Sequence, residues 1–238
     1  MIENVEALKR QAGEKAVEAI RSGMVVGLGT GSTAVHAVRA LGELLRAGRL
    51  RDIVAIPTSE ATAAEAQAWG IPLTTLSAHP VIDVTIDGAD EIDPQLNLIK
   101  GLGGALLREK IVAAASRRVI IISDDRKLVR RLGTRAPLPV EVIPFAQRPV
   151  ADYLAGLGAR VVLRGDAAEE PFITDEGNII LDCHFDGGIG DAAALATAVR
   201  AQPGVVEHGL FLGLAAEAII AAPNGVYTIQ EPRKFLDD

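Results

Sequence analysis

Val81 to Ile86 and Val119 to Ile122 are apolar runs rich in β-branched residues, and each ends in a run of acids and turn formers. Strands of this kind are buried on both faces, as in a parallel sheet covered by helices. Met24 to Gly27 and Ile53 to Ile56 fit the same description. Between these runs lie segments with helical spacing. The first carries Val5, Leu8, Ala12, Ala16, Ala19 and Ile20 and stops at Ser22-Gly23. The second runs through Val35, Val38, Leu41 and Leu45 with Ser32-Thr33 placed to cap it, and a third, alanine-rich, follows Pro57-Thr58-Ser59 as far as Trp69. Strands alternating with helices indicate an α/β layer fold.

The pattern changes after about Leu132. Val140 to Ile143 reads as a strand ending at Pro144, and Gln147 to Leu157 as a helix. Val161-Val162, Pro171 to Thr174 and Ile179 to Asp182 read as short strands, with a hairpin turn at Asp175-Glu176-Gly177-Asn178. Asp191 to Ala201 reads as a helix that Pro203-Gly204 ends. From Val205 the apolar, glycine-rich pattern returns. The expected organisation is one domain over residues 1–132 and 205–238, with a smaller α+β domain, 133–204, inserted in it.

Aromatic residues make up only 3% of the 238-residue chain, so the core must be aliphatic. A formal net charge of −7 argues against nucleic acid or an anionic membrane as partner. Any phosphate site is then a local positive spot on an acidic protein. Cys183 is the single cysteine, so no intrachain disulfide forms. With no apolar run long enough to span a bilayer and no basic, apolar leader at Met1-Ile2-Glu3-Asn4, a soluble cytoplasmic protein is expected.

Three motifs carry chemistry. Gly27-Leu28-Gly29-Thr30-Gly31-Ser32-Thr33 joins a strand to a helix. Its glycines let backbone amides approach a ligand, and the helix N-terminus favours an anion. Ser32 stands where a dinucleotide fingerprint needs its third glycine, and no Gly-Lys-Ser/Thr follows as a P-loop requires. Asp87, Asp90, Glu91 and Asp93 continue an apolar strand at its carboxyl end, where open α/β sheets bind ligands. Such acids suit Mg²⁺, sugar hydroxyls or proton transfer, and spacing alone leaves these open.

Lys100-Gly101-Leu102-Gly103-Gly104 opens onto a helix, Ala105 to Ala115, whose expected core stripe is Leu107, Ile111 and Ala114. Glu109 lies off that stripe but among Ala105, Val112 and Ala113. A carboxylate in such surroundings is either paired, with Arg108 or Lys110, or functional. Lys127 and Lys9 are by themselves surface lysines. Cys183-His184 beside Asp182 and Asp186 lacks metal-ligand spacing, and there is no Gly-x-Ser-x-Gly elbow.

The set Gly29 to Thr33, Asp87-Gly88-Ala89-Asp90-Glu91-Ile92 and Lys100 to Gly104 through Arg108-Glu109-Lys110 resembles type A ribose-5-phosphate isomerase. Leu138 to Pro144, Asn178 to Asp182, Gly204-Val205-Val206 and Gly209-Leu210-Phe211 extend the likeness, in order, over nearly the whole chain. Leu102, where some members have glycine, and the stretch Phe185 to Asp191 depart from it.

The resemblance implies a Rossmann-like parallel-sheet domain with a smaller inserted α+β, ferredoxin-like domain. It implies a homodimer or homotetramer that interconverts ribose 5-phosphate and ribulose 5-phosphate through a cis-enediolate, with no metal and no other cofactor. The partner it implies is a small-molecule sugar phosphate. By position, Glu109 matches the proton-transferring base, and Asp87, Asp90 and Lys100 match polar groups around the sugar. Substrate-binding positions follow at Thr30, Gly31, Ser32 and Thr33, at Gly88 and Ala89, at Gly101, Leu102 and Gly103, and at Lys127 and Lys9. Two rivals share the fold: a sugar-phosphate-sensing module, disfavoured by the lack of a basic helix-turn-helix, and a sugar-phosphate deaminase or lactonase, disfavoured by the Lys100 to Lys110 block.

Overall fold

A computed structural model describes residues 2–165 and 170–230, with side chains from residue 5 onward. In chain order the first part comprises α1 (Ile2–Val17), β1 (Val25–Leu28), α2 (Ala34–Arg46), β2 (Val54–Pro57), α3 (Glu60–Ala68) and β3 (Val84–Gly88). Then come β4 (Glu91–Ile92), β5 (Leu98–Ile99), α4 (Leu106–Ala114) and β6 (Val119–Asp124). The second part holds β7 (Leu138–Val142), α5 (Gln147–Gly156), β8 (Arg160–Leu163), β9 (Ile179–His184), α6 (Ala192–Ala201) and β10 (Val205–His208). It closes with β11 (Leu210–Phe211), β12 (Glu217–Ala222) and β13 (Gly225–Gln230).

The largest sheet has the order β13-β12-β6-β3-β1-β2, parallel throughout except for the β12–β13 hairpin at one edge. Its central strands are covered on both faces, as their composition requires. Ile120 and Ile122 of β6, with Ile219 and Ala221 of β12, pack among α1 and α2. Their alternate neighbours Val119, Ile121, Ala218 and Ile220 pack on the other side against Ile92, Leu98 and Phe211. Full burial of each such side chain contributes about 1.5–3 kcal/mol. Phe211 is the largest of the fully buried side chains in an otherwise aliphatic core.

β7 to β10 with α5 and α6 form a β-α-β-β-α-β unit. Its antiparallel sheet has the order β10-β7-β9-β8, which is the ferredoxin-like arrangement. Val205 to His208, where the first pattern was expected to resume, is the fourth strand of this sheet, and the chain rejoins the large sheet at β12. Pro171 to Thr174 makes only isolated bridges, Gly165 to Pro171 and Ile173 to Ile179, around the expected turn.

A third sheet, β11-β5-β4, was not foreseen, because two-residue strands fall below any pattern length. It joins the other two. Ile92 and Leu98 face the large sheet, whereas Ile99 and Leu210 belong to the core of the ferredoxin-like unit. The β4–β5 hairpin turns at Asp93, whose Oδ1 accepts the amides of Gln95 and Asn97, each at 2.9 Å.

Helix α4 turns the opposite way from the expectation. Leu106, Glu109, Val112 and Ala113 face inward, and Ile111 is 46% exposed. A helix apolar on nearly every side carries no stripe to choose its face by. What orients it is Leu106 packed against Gly101 and Glu109 reaching a buried lysine.

Candidate active site

The carboxyl ends of β1, β3 and β6 converge with β5 on one cavity of about 80 Å³. It is lined by the Thr30–Thr33 loop, Gly88 to Asp90, Lys100, Gly101, Gly103, Glu109 and Lys127. Segments up to a hundred residues apart thus meet where the topology of a parallel sheet directs its ligands.

β3 extends two residues past its apolar run, so Asp87 lies inside the sheet and is 2% exposed. The β1 loop crosses directly over it: a Cβ on Gly29 would stand within 2.5 Å of three Asp87 atoms, so only glycine fits there. Asp87 Oδ1 accepts the amides of Thr30 at 3.1 Å and Gly88 at 2.7 Å. Its Oδ2 lies 2.9 Å from Lys100 Nζ.

The β4–β5 hairpin delivers Asp90 and Lys100 side by side. The Asp90 amide donates to Ile99 O at 2.8 Å, and Asp90 Oδ2 accepts the Leu102 amide at 2.9 Å. Lys100 Nζ donates to Gly88 O at 2.6 Å and to Glu109 Oε1 at 3.1 Å, so its three protons are all engaged. The Phe211 ring centroid lies 5.5 Å from this ammonium. Glu109 is 4% exposed, and its buried Oε2 has no hydrogen-bond partner among the described residues. The helix neighbours do not neutralise it. Arg108 pairs with Glu60 and Glu176, and Lys110 donates to Glu207 at 2.8 Å.

Two carboxylates therefore share one ammonium out of water. Burial pushes Glu109 up to about 8, Lys100 opposes the rise and the charge of Asp87 adds to it. Burial also raises Asp87, against the pull of Lys100. Burial alone would lower Lys100, but Asp87 and Glu109 around it hold it above the usual lysine range. A buried acid poised near neutrality beside a fixed cation is equipped to take up and return a proton.

The opposite wall is neutral. Thr33 precedes α2 without a side-chain cap bond, so the hydroxyls of Ser32 and Thr33 are not spent on the helix start. Gly31 has φ +111°, a conformation that favours glycine. Thr30 differs from its neighbours. Its hydroxyl lies 2.7 Å from that of Thr58, 2.8 Å from Ser59 and 3.1 Å from Thr62, a buried network that ties the loop to α3. The Thr58-Ser59-x-x-Thr62 spacing at a helix start was the available signal for it.

Lys127 ends the short turn after β6 and faces the cavity, while the adjacent Arg126 pairs with Asp124. Lys9 lies on α1, 2.7 Å from Glu6, and is not among the lining residues; nor are Leu102, 40% exposed, and Asp87, which supports the floor through Lys100. The acidic run divides by role. Glu91 is fully buried and accepts the amides of Gly133, Arg135 and Ala136, fixing that loop, and Asp93 closes its own turn. Among the described residues no group of three or more His, Cys, Asp or Glu is placed to hold a metal ion.

Residues 54–225 match the family model of ribose 5-phosphate isomerase A (phosphoriboisomerase A). The chain belongs to this family. It is 55% identical over 224 residues to ribose-5-phosphate isomerase A of Roseiflexus castenholzii, covering 94% of this chain and 95% of that one. It is 51% identical over 226 residues to a probable ribose-5-phosphate isomerase 2 of Arabidopsis thaliana, covering 93% and 85%. A solved D-ribose-5-phosphate isomerase in complex with phospho-erythronic acid superposes with a TM-score of 0.92 at 40% identity, over 95% of this chain and 99% of that one. The ribose 5-phosphate isomerase of Plasmodium falciparum gives 0.92 at 41%, over 95% and 99%. Like these relatives the chain is an isomerase of carbohydrate metabolism. No helix among the described residues is long and apolar enough to cross a membrane.

Proposed function

We propose that this isomerase interconverts D-ribose 5-phosphate and D-ribulose 5-phosphate through a cis-enediolate, with Glu109 as the proton-transferring base. The observation that carries the proposal is the unpartnered, buried Oε2 of Glu109, beside an Oε1 held by Lys100. Glu109 removes the proton from C2 of the open-chain aldose as the carbonyl oxygen on C1 gains negative charge. The same carboxyl returns a proton to C1, while the proton of the C2 hydroxyl passes to the oxygen on C1, leaving a ketone at C2 and a hydroxyl at C1. Nothing is oxidised from outside, and one carboxyl on one face serves both transfers. Lys100 stabilises the developing oxyanion by exchanging its bond to Glu109 for one to the substrate oxygen. Asp87 keeps that ammonium charged, and Asp90 assists ring opening or holds a sugar hydroxyl.

The phosphate, in this proposal, sits at the Thr30–Thr33 loop and the α2 N-terminus, with Lys127 as counter-charge and Lys9 swinging in from its pair with Glu6. Binding there is remote from the reacting carbons and holds the sugar against Glu109. A solved relative is in complex with phospho-erythronic acid, whose planar carboxylate has the shape and charge of an enediolate, and this supports the enediolate route. We further propose that the protein assembles as a homodimer or homotetramer, which light scattering decides.

The test is ketose formation from ribose 5-phosphate in heavy water. Early product carries solvent deuterium on C1, because the carboxyl exchanges its proton before returning it. Product and residual substrate both free of label would point to a hydride shift and overturn the enediolate route.

A further inference from the structure

Arg164 follows β8 in the ferredoxin-like unit, yet its guanidinium reaches the loop beyond Lys100. Nη1 donates to Gly101 O at 2.9 Å and to Leu102 O at 3.1 Å. Nε donates to Asp182 Oδ2 at 2.9 Å, and Nη2 to Oδ1. This fork-on-fork pair, with side chains 13% and 16% exposed, fixes the guanidinium plane. The loop it grips has little else to hold its shape. Gly101 and Gly104 have φ of +103° and +83°, and a single bond of 3.0 Å, Gly104 N–H to Gly101 O, closes the turn.

A trans peptide is planar, with its N–H directed opposite its C=O. The described peptides are all trans. Turning the carbonyls of Gly101 and Leu102 toward Arg164 therefore turns the amides of Leu102 and Gly103 the other way. The Leu102 amide finds Asp90 Oδ2. Gly103 lines the cavity, and its amide has no partner among the described residues. Phe172 backs the same loop. Its amide donates to Arg164 O at 2.9 Å, and a Cβ on Gly104 would stand 2.4 Å from its ring.

We propose that Arg164, held by Asp182, is a positioning residue for the isomerisation. By turning the two carbonyls outward it aims the Gly103 amide at a substrate oxygen and fixes Asp90. The inference rests on the isomerase function proposed above. It gives the ferredoxin-like unit a direct part in the active site.

The test compares wild type, Arg164→Ala and Arg164→Lys in ketose formation from ribose 5-phosphate, with and without millimolar guanidinium chloride. Amide hydrogen exchange at Leu102, whose amide is bonded to Asp90, and thermal melting are measured alongside. Arg164→Ala is expected to lose about 10- to 100-fold in kcat/KM, the size of effect that small misplacements cause. Guanidinium ion restores part of the loss, because the variant keeps a planar, carboxylate-lined hole. Arg164→Lys falls between, since an ammonium cannot serve Asp182 and both carbonyls at once. The Leu102 amide, released from Asp90 as the loop loosens, exchanges faster in both.

Wild-type kcat/KM in either folded variant overturns the proposal. So does a loss that follows the melting temperature, with unchanged Leu102 exchange and no response to guanidinium. If Arg164→Ala does not fold, Arg164→Lys decides by the same measures. If the wild type forms no ketose, the proposed isomerisation fails separately, and unchanged Leu102 exchange in Arg164→Lys would still overturn the loop's dependence on Arg164.

Discussion

On one side of the cavity Glu109 and Lys100 form the wall and Asp87 lies behind them, each no more than 4% exposed, while across it Gly31 and Ser32 lie open to solvent. The first wall is charged, and every polar atom but Glu109 Oε2 is engaged. The second is neutral and has hydroxyls to spare. Proton transfer requires a carboxyl whose pKa burial has raised, and a cation that water cannot screen. Holding a dianionic phosphate needs donors that can be reached from solvent, with long-range help from lysines. In the proposed mechanism one small site thus separates the group that reacts from the groups that anchor, and substitutions on the two walls are expected to differ in kind.

Glu109→Gln bears hardest on this contrast. The change keeps shape and removes basicity, so turnover of ribose 5-phosphate falls by about 10²- to 10⁴-fold. Binding of the sugar phosphate, read by calorimetry, stays close to wild type. Near-wild-type turnover in the folded variant would remove the reacting wall from the account.

Thr33→Ala addresses the other wall. Its hydroxyl lines the cavity and does not cap α2. Each hydrogen bond lost to a charged group costs about 1.5–3 kcal/mol, so affinity for ribose 5-phosphate weakens at least tenfold. Affinity for unphosphorylated ribose should be little affected. Equal loss for the two sugars would place the phosphate elsewhere, as would micromolar binding of NAD by the wild type.

How the two walls were legible from the chain differs as well. The anchoring loop is local: seven consecutive residues, a strand before and a helix after, were enough to mark it. Asp87 was legible because an apolar strand leads straight into it. The setting of Glu109 was only half legible. Its burial followed from the alanines and valine around it. Its partner did not, because Lys100 arrives by way of two-residue strands, and the face of α4 is chosen by that contact rather than by a stripe. Glu91 was indistinguishable from Asp90 in the sequence. What separates them is a loop some forty residues on, whose amides Glu91 gathers. Arg164 left no signal at all, since the carbonyls it binds lie 62 and 63 positions away.

Burial of the reacting wall also sets a pH dependence that the anchoring wall does not share. With Glu109 at about 8 in the free enzyme, kcat/KM rises about tenfold per pH unit below that value and levels off above it. The stability effect has the opposite slope. A carboxyl raised from 4.5 when unfolded to about 8 when folded is bound to its proton more tightly in the native state. Its contribution is complete below pH 4.5 and is lost as pH climbs through 8. Thr33→Ala should keep both slopes. Glu109→Gln should lose the stability slope, so that its melting temperature falls less than that of wild type between pH 5 and pH 8. Parallel melting curves against pH would mean that Glu109 is not the raised group.

The smallest expected effect is that of exhaustive chelation, which should leave turnover unchanged. The acids that spacing alone would offer to Mg²⁺ have most of their oxygens committed. Asp87 is divided between two amides and Lys100, and Asp90 holds the Leu102 amide. Glu91 and Asp93 are bound within their own loops. A divalent ion bridging Asp87 and Glu109 would have to displace an ammonium that three acids hold above its usual pKa, and this exchange leaves a buried lysine without its partners. The proposed chemistry has no step for such an ion, because Lys100 already stands where the oxyanion forms. Turnover that is lost to EDTA and restored by one divalent ion would reverse this. The cation of the reacting wall would then be the metal, and Lys100 its stand-in when the site is empty.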